Sequence, residues 1–87
     1  MDKPIYSLVS ARIKKQPSTG VFYILATNVD NPRCKIGGWI TTSPILNINL
    51  KDRKVETWNS IYLVDEDSIQ SWKDIPGLFK ELLGILS

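Results

Sequence analysis

The chain has 87 residues, 43% of them hydrophobic and 23% charged, with 11 Lys and Arg against 9 Asp and Glu. That length supports one modest core, and the apolar content offsets the entropy of ordering it, which excludes a disordered chain. The absence of histidine and the single cysteine, Cys34, exclude imidazole triads, the common histidine zinc sites and an internal disulfide.

Residues 1–87 are expected to form a single domain, a strand-rich body over 1–64 followed by a helical segment over 65–87. Ile5 to Ile13 alternates as a strand, with Ile5, Val9, Ala11 and Ile13 on one side. Lys14 to Gly20 is turn chemistry, since proline fixes φ and Gly20 can take φ > 0. Val21 to Thr27 is β-branched and aromatic without a polar break, which reads as a strand buried on both faces and paired with the first in a hairpin. Asn28 to Arg33 is loop, and Gly37-Gly38 punctuates the chain again. Trp39 to Thr42 reads as strand, stopped or bent by Pro44. Leu46, Ile48 and Leu50 alternate with Asn47 and Asn49 as a one-faced strand. Lys51 to Lys54 turns the chain into strands over Val55–Trp58 and Ile61–Val64, with Asn59-Ser60 a bulge or tight corner.

The chemistry changes at Asp65-Glu66-Asp67. Asp67 can cap a short helix with Gln70 completing the pair. Beyond it, Ile75, Leu78, Phe79, Leu82, Leu83, Ile85 and Leu86 fill one arc of a helix predicted over about Pro76–Leu86. The fold class that follows is mainly β (α+β): a small antiparallel barrel or bent sheet of five to six strands, with a C-terminal amphipathic helix. No signal sequence or membrane-spanning run is visible, and a lone thiol suits a reducing compartment, so a cytoplasmic protein away from membranes is expected.

Catalysis finds little to work with. No base serves the serines, Cys34 has only Arg33 and Lys35 beside it, and Asp65 to Asp67 lack the oxygen ligands of a calcium loop. Neither a GxGxxG nor a P-loop is present. The expectation is a non-enzymatic protein with no cofactor and no metal. Binding is the better class. The body carries nine basic and four acidic residues, a net +5, against −3 in the final segment. That asymmetry can suit an acidic partner, but solvation and helix-end electrostatics are the better account of it. Lys14, Lys15, Arg33, Lys35, Arg53 and Lys54 fall in or beside turns, and Tyr23, Trp39 and Trp58 lie on adjoining strands. Together they form the candidate ligand-binding set, able to stack bases and contact phosphates. Self-association is a natural supplement to so small a core, through the apolar helix or an unprotected strand edge, and gives a homodimer as one expected state.

The stretch from Thr42-Ser43-Pro44-Ile45 through Glu56-Thr57-Trp58-Asn59-Ser60-Ile61-Tyr62-Leu63, about a quarter of the chain, resembles a hairpin of small bacteriophage and mobile-element proteins. In these a Thr-Ser-x-aliphatic strand pairs with a Thr-x-Asn-Ser-x-Tyr strand. The resemblance implies a small β fold and a phage-type accessory protein that inhibits a host defence or regulatory system. It would do so by binding a host protein or sequestering a small ligand. The alternative is a small β-barrel that binds single-stranded nucleic acid.

Overall fold

The computed structural model describes residues 3–78 and 80–82. Its elements in chain order are β1 (Ile5–Lys15), β2 (Phe22–Asn28), β3 (Trp39–Thr41), β4 (Ile45–Asn49), β5 (Lys54–Thr57), β6 (Ile61–Val64) and α1 (Glu66–Lys73). The strands form one sheet in the order β3-β2-β1-β6-β5-β4. The mainly β class, the strand count and a helix after the strands are as expected.

Of the two expected forms, barrel or bent sheet, the strands take the sheet, not closed into a barrel, and one feature is corrected: it is mixed rather than antiparallel. β1 pairs antiparallel with β2 and parallel with β6. The cause lies in the connection from β3 to β4. The other strand connections within each half are hairpin reversals, whereas residues 42–44 carry the chain from one sheet edge to the other without reversing it. Pro44 cannot donate to a ladder and marks that bend. Thr42 fastens it to β2. Its backbone N–H donates to the Ile24 carbonyl (2.9 Å), and its hydroxyl accepts the Ile24 N–H (3.0 Å) while donating to the Ser43 carbonyl (2.9 Å).

A second correction concerns β1, whose register shifts between Val9 and Arg12. Ser10 sits there at φ 51, in the left-handed region that a side chain occupies at a cost. The extra residue changes which side chains face inward. Leu8 points into the core before the bulge and Ala11 after it, with Ile13 packed against them. Ile5 and Val9, expected on the same side as Ala11 and Ile13, are exposed on the other side. Bulging also frees the peptide groups of Ala11, and α1 takes both. The Ala11 N–H donates to the Ser68 hydroxyl oxygen (2.9 Å), and the Trp72 indole N–H donates to the Ala11 carbonyl (2.9 Å). Ser68 in turn donates to the Asp65 carboxylate. Asp65, not Asp67, is the residue that precedes the helix.

The core forms on the concave side, where Phe22, Ile24, Ala26, Ile40, Val55, Tyr62 and Val64 meet Ile69, Trp72, Leu78 and Leu82. Burying side chains of this size stabilises the fold by about 1.5–3 kcal/mol each. Leu78 and Lys80–Leu82 are helical, but Ile75 is exposed rather than on the buried arc. Phe79, Leu83, Ile85 and Leu86 lie outside the described residues. No helix among the described residues is long and apolar enough to cross a membrane.

Candidate binding surface

α1 and the segment after it close the concave side, which leaves the convex side of the sheet in water. Antiparallel sheets with one solvated face usually alternate apolar and polar residues cleanly. Here the open face is apolar along much of β1, β2 and β6. Register pairs the outward residues Val9 with Thr27, Thr27 with Trp39, and Ser7 with Leu63. Ile5, Val9, Val29, Leu63 and Trp39 all stand exposed there, Trp39 at 62%. These five leave on the order of 400 Å² of apolar surface in water, a patch of the size that marks an interaction site on small monomers. Val9, Val29 and Leu63 line an open cleft of about 310 Å³, walled by Asp52, Arg53 and Asp65.

The loop between β2 and β3 is built rather than loose, and Asn28 builds it. At 1% exposure, its side-chain amide donates to the carbonyls of Asn31 (2.9 Å), Cys34 (3.2 Å) and Lys35 (3.3 Å). Its side-chain oxygen accepts the Asn31 N–H at 2.9 Å, and its backbone carbonyl accepts the Gly37 N–H at 2.8 Å. Gly37 adopts φ 81, where a side chain would strain the turn. Asp30 ties the loop to β1 by accepting the Ser7 N–H at 2.7 Å. The result is a fixed platform that presents Arg33, Cys34, Lys35 and Ile36 to solvent beside Trp39.

The candidate set divides on this frame. Lys14 and Tyr23 are register partners on the convex face, the same face as Trp39, and Arg33 and Lys35 project from the loop at its end. Arg53, at φ 55, lies in the β4–β5 turn and borders the cleft, and Lys54, the first residue of β5, pairs with Leu63 on the convex face. Lys15 is held elsewhere, paired with the Glu81 carboxylate and 5.7 Å from the Phe22 ring centre. Trp58 lies in the β5–β6 turn rather than on a strand, 64% exposed beside a separate depression lined by Phe22, Pro44, Leu46 and Leu82. Thus Lys14, Tyr23 and Trp39 share one face, while Lys15 and Trp58 do not.

Sequence reasoning missed Val9, Val29 and Leu63 as surface residues, and it left Arg12 out of the set although the residue shares the face of Lys14. The signal was partly present. Ile61 to Val64 is apolar on both faces, so an open sheet must expose one of them.

Several residues between Thr42 and Leu63 have structural duties. The Thr57 hydroxyl donates to the Ser60 carbonyl (3.1 Å) and accepts the Ser60 N–H (3.3 Å), closing the β5–β6 corner. The Ser43 hydroxyl accepts the Asn59 N–H at 3.2 Å. Tyr62 faces the core, and burial pushes its phenol above the ordinary value of 10.0, against the hydrogen bond from Ser60 that lowers it. Among the described residues no three His, Cys, Asp or Glu side chains gather where a metal ion could sit. Comparison with protein-family models, curated proteins and solved structures finds no match. The functional reading therefore stands on the surface itself.

Proposed function

We propose that this chain is a non-catalytic binding protein, an accessory factor of the phage type that blocks a host system by docking a host protein on its convex sheet face. The observation that supports it most is the apolar stripe of Ile5, Val9 and Leu63, exposed on β1 and β6, with Val29 at the start of the β2–β3 loop and Trp39 on β3 beside it. A stripe on strands is pre-organised, so docking does not meet the ordering cost that a mobile loop would. Trp and Tyr are the side chains that anchor protein interfaces. Charge around the stripe is mixed: Asp52 and Asp65 flank Arg53 at the cleft, while Arg12 and Lys14 on β1 and Arg33 and Lys35 in the β2–β3 loop supply cations for an acidic part of the partner. Sequestration of a small ligand draws less support, because the clefts are open depressions whereas ligand sites enclose most of their guest.

The test is retention of a host protein by the immobilised chain. Val9→Asp and Leu63→Asp should each abolish retention at a temperature where circular dichroism shows the variant folded; both side chains are 38% exposed, so some loss of thermal midpoint accompanies the change. Retention that survives both substitutions would overturn the reading. Turnover of a substrate by substoichiometric protein would overturn its non-catalytic part.

A second reading, single-stranded nucleic acid, draws on a specific observation: Arg12, Lys14, Tyr23 and Trp39 occupy the same face. Exposed rings contribute about 1–3 kcal/mol per stacked base, and phosphate contacts make affinity steeply salt-dependent. A mixed-sequence oligonucleotide of about twenty nucleotides should then bind at low salt and weaken in Arg12→Ala/Lys14→Ala. No binding at low salt removes this reading.

A further inference from the structure

From Ile36 to Leu50 the chain runs through fifteen consecutive residues without an Asp, Glu, Lys or Arg. Those fifteen residues contain both edge strands of the sheet, β3 and β4. Native sheets normally guard an edge with charge, with a bulge or with proline, since unpaired N–H and C=O groups invite another strand. The β4 edge has such guards: Pro44 precedes it, and its register shifts between Ile45 and Asn47. The β3 edge has no bulge and no charge, and its one guard is its shortness, three residues.

Register fixes what that edge presents. The Asn28 N–H donates to the Gly38 carbonyl and the Thr42 N–H to the Ile24 carbonyl, and Ile40 lies opposite Ala26. Residues 38, 40 and 42 therefore bond inward to β2, and antiparallel alternation turns the N–H and C=O of Trp39 and Thr41 outward. Among the described residues no group pairs with them. Two donors and two acceptors spaced in this way are self-complementary.

We propose that a second copy of this chain pairs antiparallel along β3, about a two-fold axis at Ile40. Trp39 of each copy then lies opposite Thr41 of the other, and four backbone hydrogen bonds form across the axis. The Trp39 ring comes down on the neighbouring copy's Thr41 and Leu25, which are themselves paired on the convex face. Neutrality selects this occupant. An uncharged edge meets its own copy without like-charge repulsion, whereas it offers a charged foreign strand nothing to pair with. Lys35 packs over Gly38 at the start of β3, and in the antiparallel register it faces the uncharged Ser43-Pro44 turn of the other copy. The paired sheet sets two convex faces side by side, which goes beyond the binding reading and does not depend on it. Three residues of strand and one tryptophan per copy form an interface below standard size, so dissociation is expected on the order of 10–100 µM.

Sedimentation equilibrium over a concentration series tests this. A monomer–dimer equilibrium is expected, and amide exchange at Trp39 and Thr41 should slow as concentration rises. Thr41→Pro removes an outward N–H without touching the β2 ladder, and Trp39→Lys adds the missing edge charge. Each should weaken dimerisation at least tenfold, and Trp39→Lys serves if the proline variant does not fold. Leu46→Lys, on the β4 edge, should change it less than twofold. A wild-type chain monomeric to about 1 mM overturns the proposal. So does a dimer indifferent to Trp39→Lys, or one lost in Leu46→Lys. Loss of host-protein retention in Leu63→Asp with an unchanged dimer separates this surface from the docking face.

Discussion

The contact between α1 and the β1 bulge gives the sharpest stability prediction, because two side chains satisfy both backbone groups of one residue, Ala11. Ser68→Ala leaves the Ala11 N–H without its 2.9 Å acceptor. Trp72→Phe leaves the Ala11 carbonyl without its 2.9 Å donor. Trp72 is 1% exposed and Ser68 is buried as well, so water does not replace either partner. An unsatisfied buried group costs about 1–3 kcal/mol. In the tryptophan variant the loss of ring volume adds to this, for a total of about 2–4 kcal/mol. Urea unfolding followed by far-UV circular dichroism measures both. In a domain of this size 1 kcal/mol corresponds to about 4–8 °C in thermal midpoint, so each variant is easily resolved. The double variant should cost less than the sum, because once one bond fails the bulge can relax and release the other. Strict additivity, or a Ser68→Ala cost below about 0.5 kcal/mol, would refute the claim that α1 holds the bulge through Ala11.

Asn28→Ala removes the bonds that shape the β2–β3 loop and should cost about 2–4 kcal/mol, with amide exchange rising sharply at Asn31 and Gly37 but not in β5. Arg53→Gly relieves the left-handed strain at φ 55 and should be neutral to stabilising by up to about 1 kcal/mol in the same urea assay; a clear loss of stability would refute this. Tyr62 has its phenol pKa raised by burial in the folded chain. Its contribution is therefore fully present below the unfolded value of 10.0 and is lost as pH rises from there through the higher folded value. Unfolding free energy should fall in that alkaline window, and Tyr62→Phe should flatten the fall relative to wild type.

Much of the fold was legible because the local signals were strong. Gly20, with its positive φ, and the Lys14–Gly20 turn announced the first hairpin, and the polar break at Lys51–Lys54 announced the second. What the chain did not reveal was phase. Ser7-Leu8-Val9-Ser10-Ala11 can alternate in either sense, and only the bulge decides that Leu8 faces inward before it and Ala11 after it. A bulge stabilised by a helix 57 residues further on leaves no local pattern. Direction was hidden in the same way. Pro44 marked a bend, but whether the chain reverses or continues there depends on β4 finding β5 instead of β3, a choice made by long-range packing.

The surface was half legible for a related reason. Counting cations and aromatics found Lys14, Tyr23 and Trp39, which do share a face, but it also collected Lys15 and Trp58, which do not. Residue type says what a side chain can do, whereas register says with which others it can act. The aliphatic residues escaped because an exposed valine or leucine has the same letters as a buried one. Only the position of α1, closing one side of the sheet and leaving the other open, turns Val9 and Leu63 into surface. The charge pattern carries the same point further. A fifteen-residue gap in a chain that is 23% charged is unremarkable as composition. It acquires meaning when both edge strands fall inside it, because edges are where a soluble sheet most needs charge. An edge left bare in this way is either an aggregation liability or a place already reserved for a strand, and the outward groups of Trp39 and Thr41 make the second account specific enough to test.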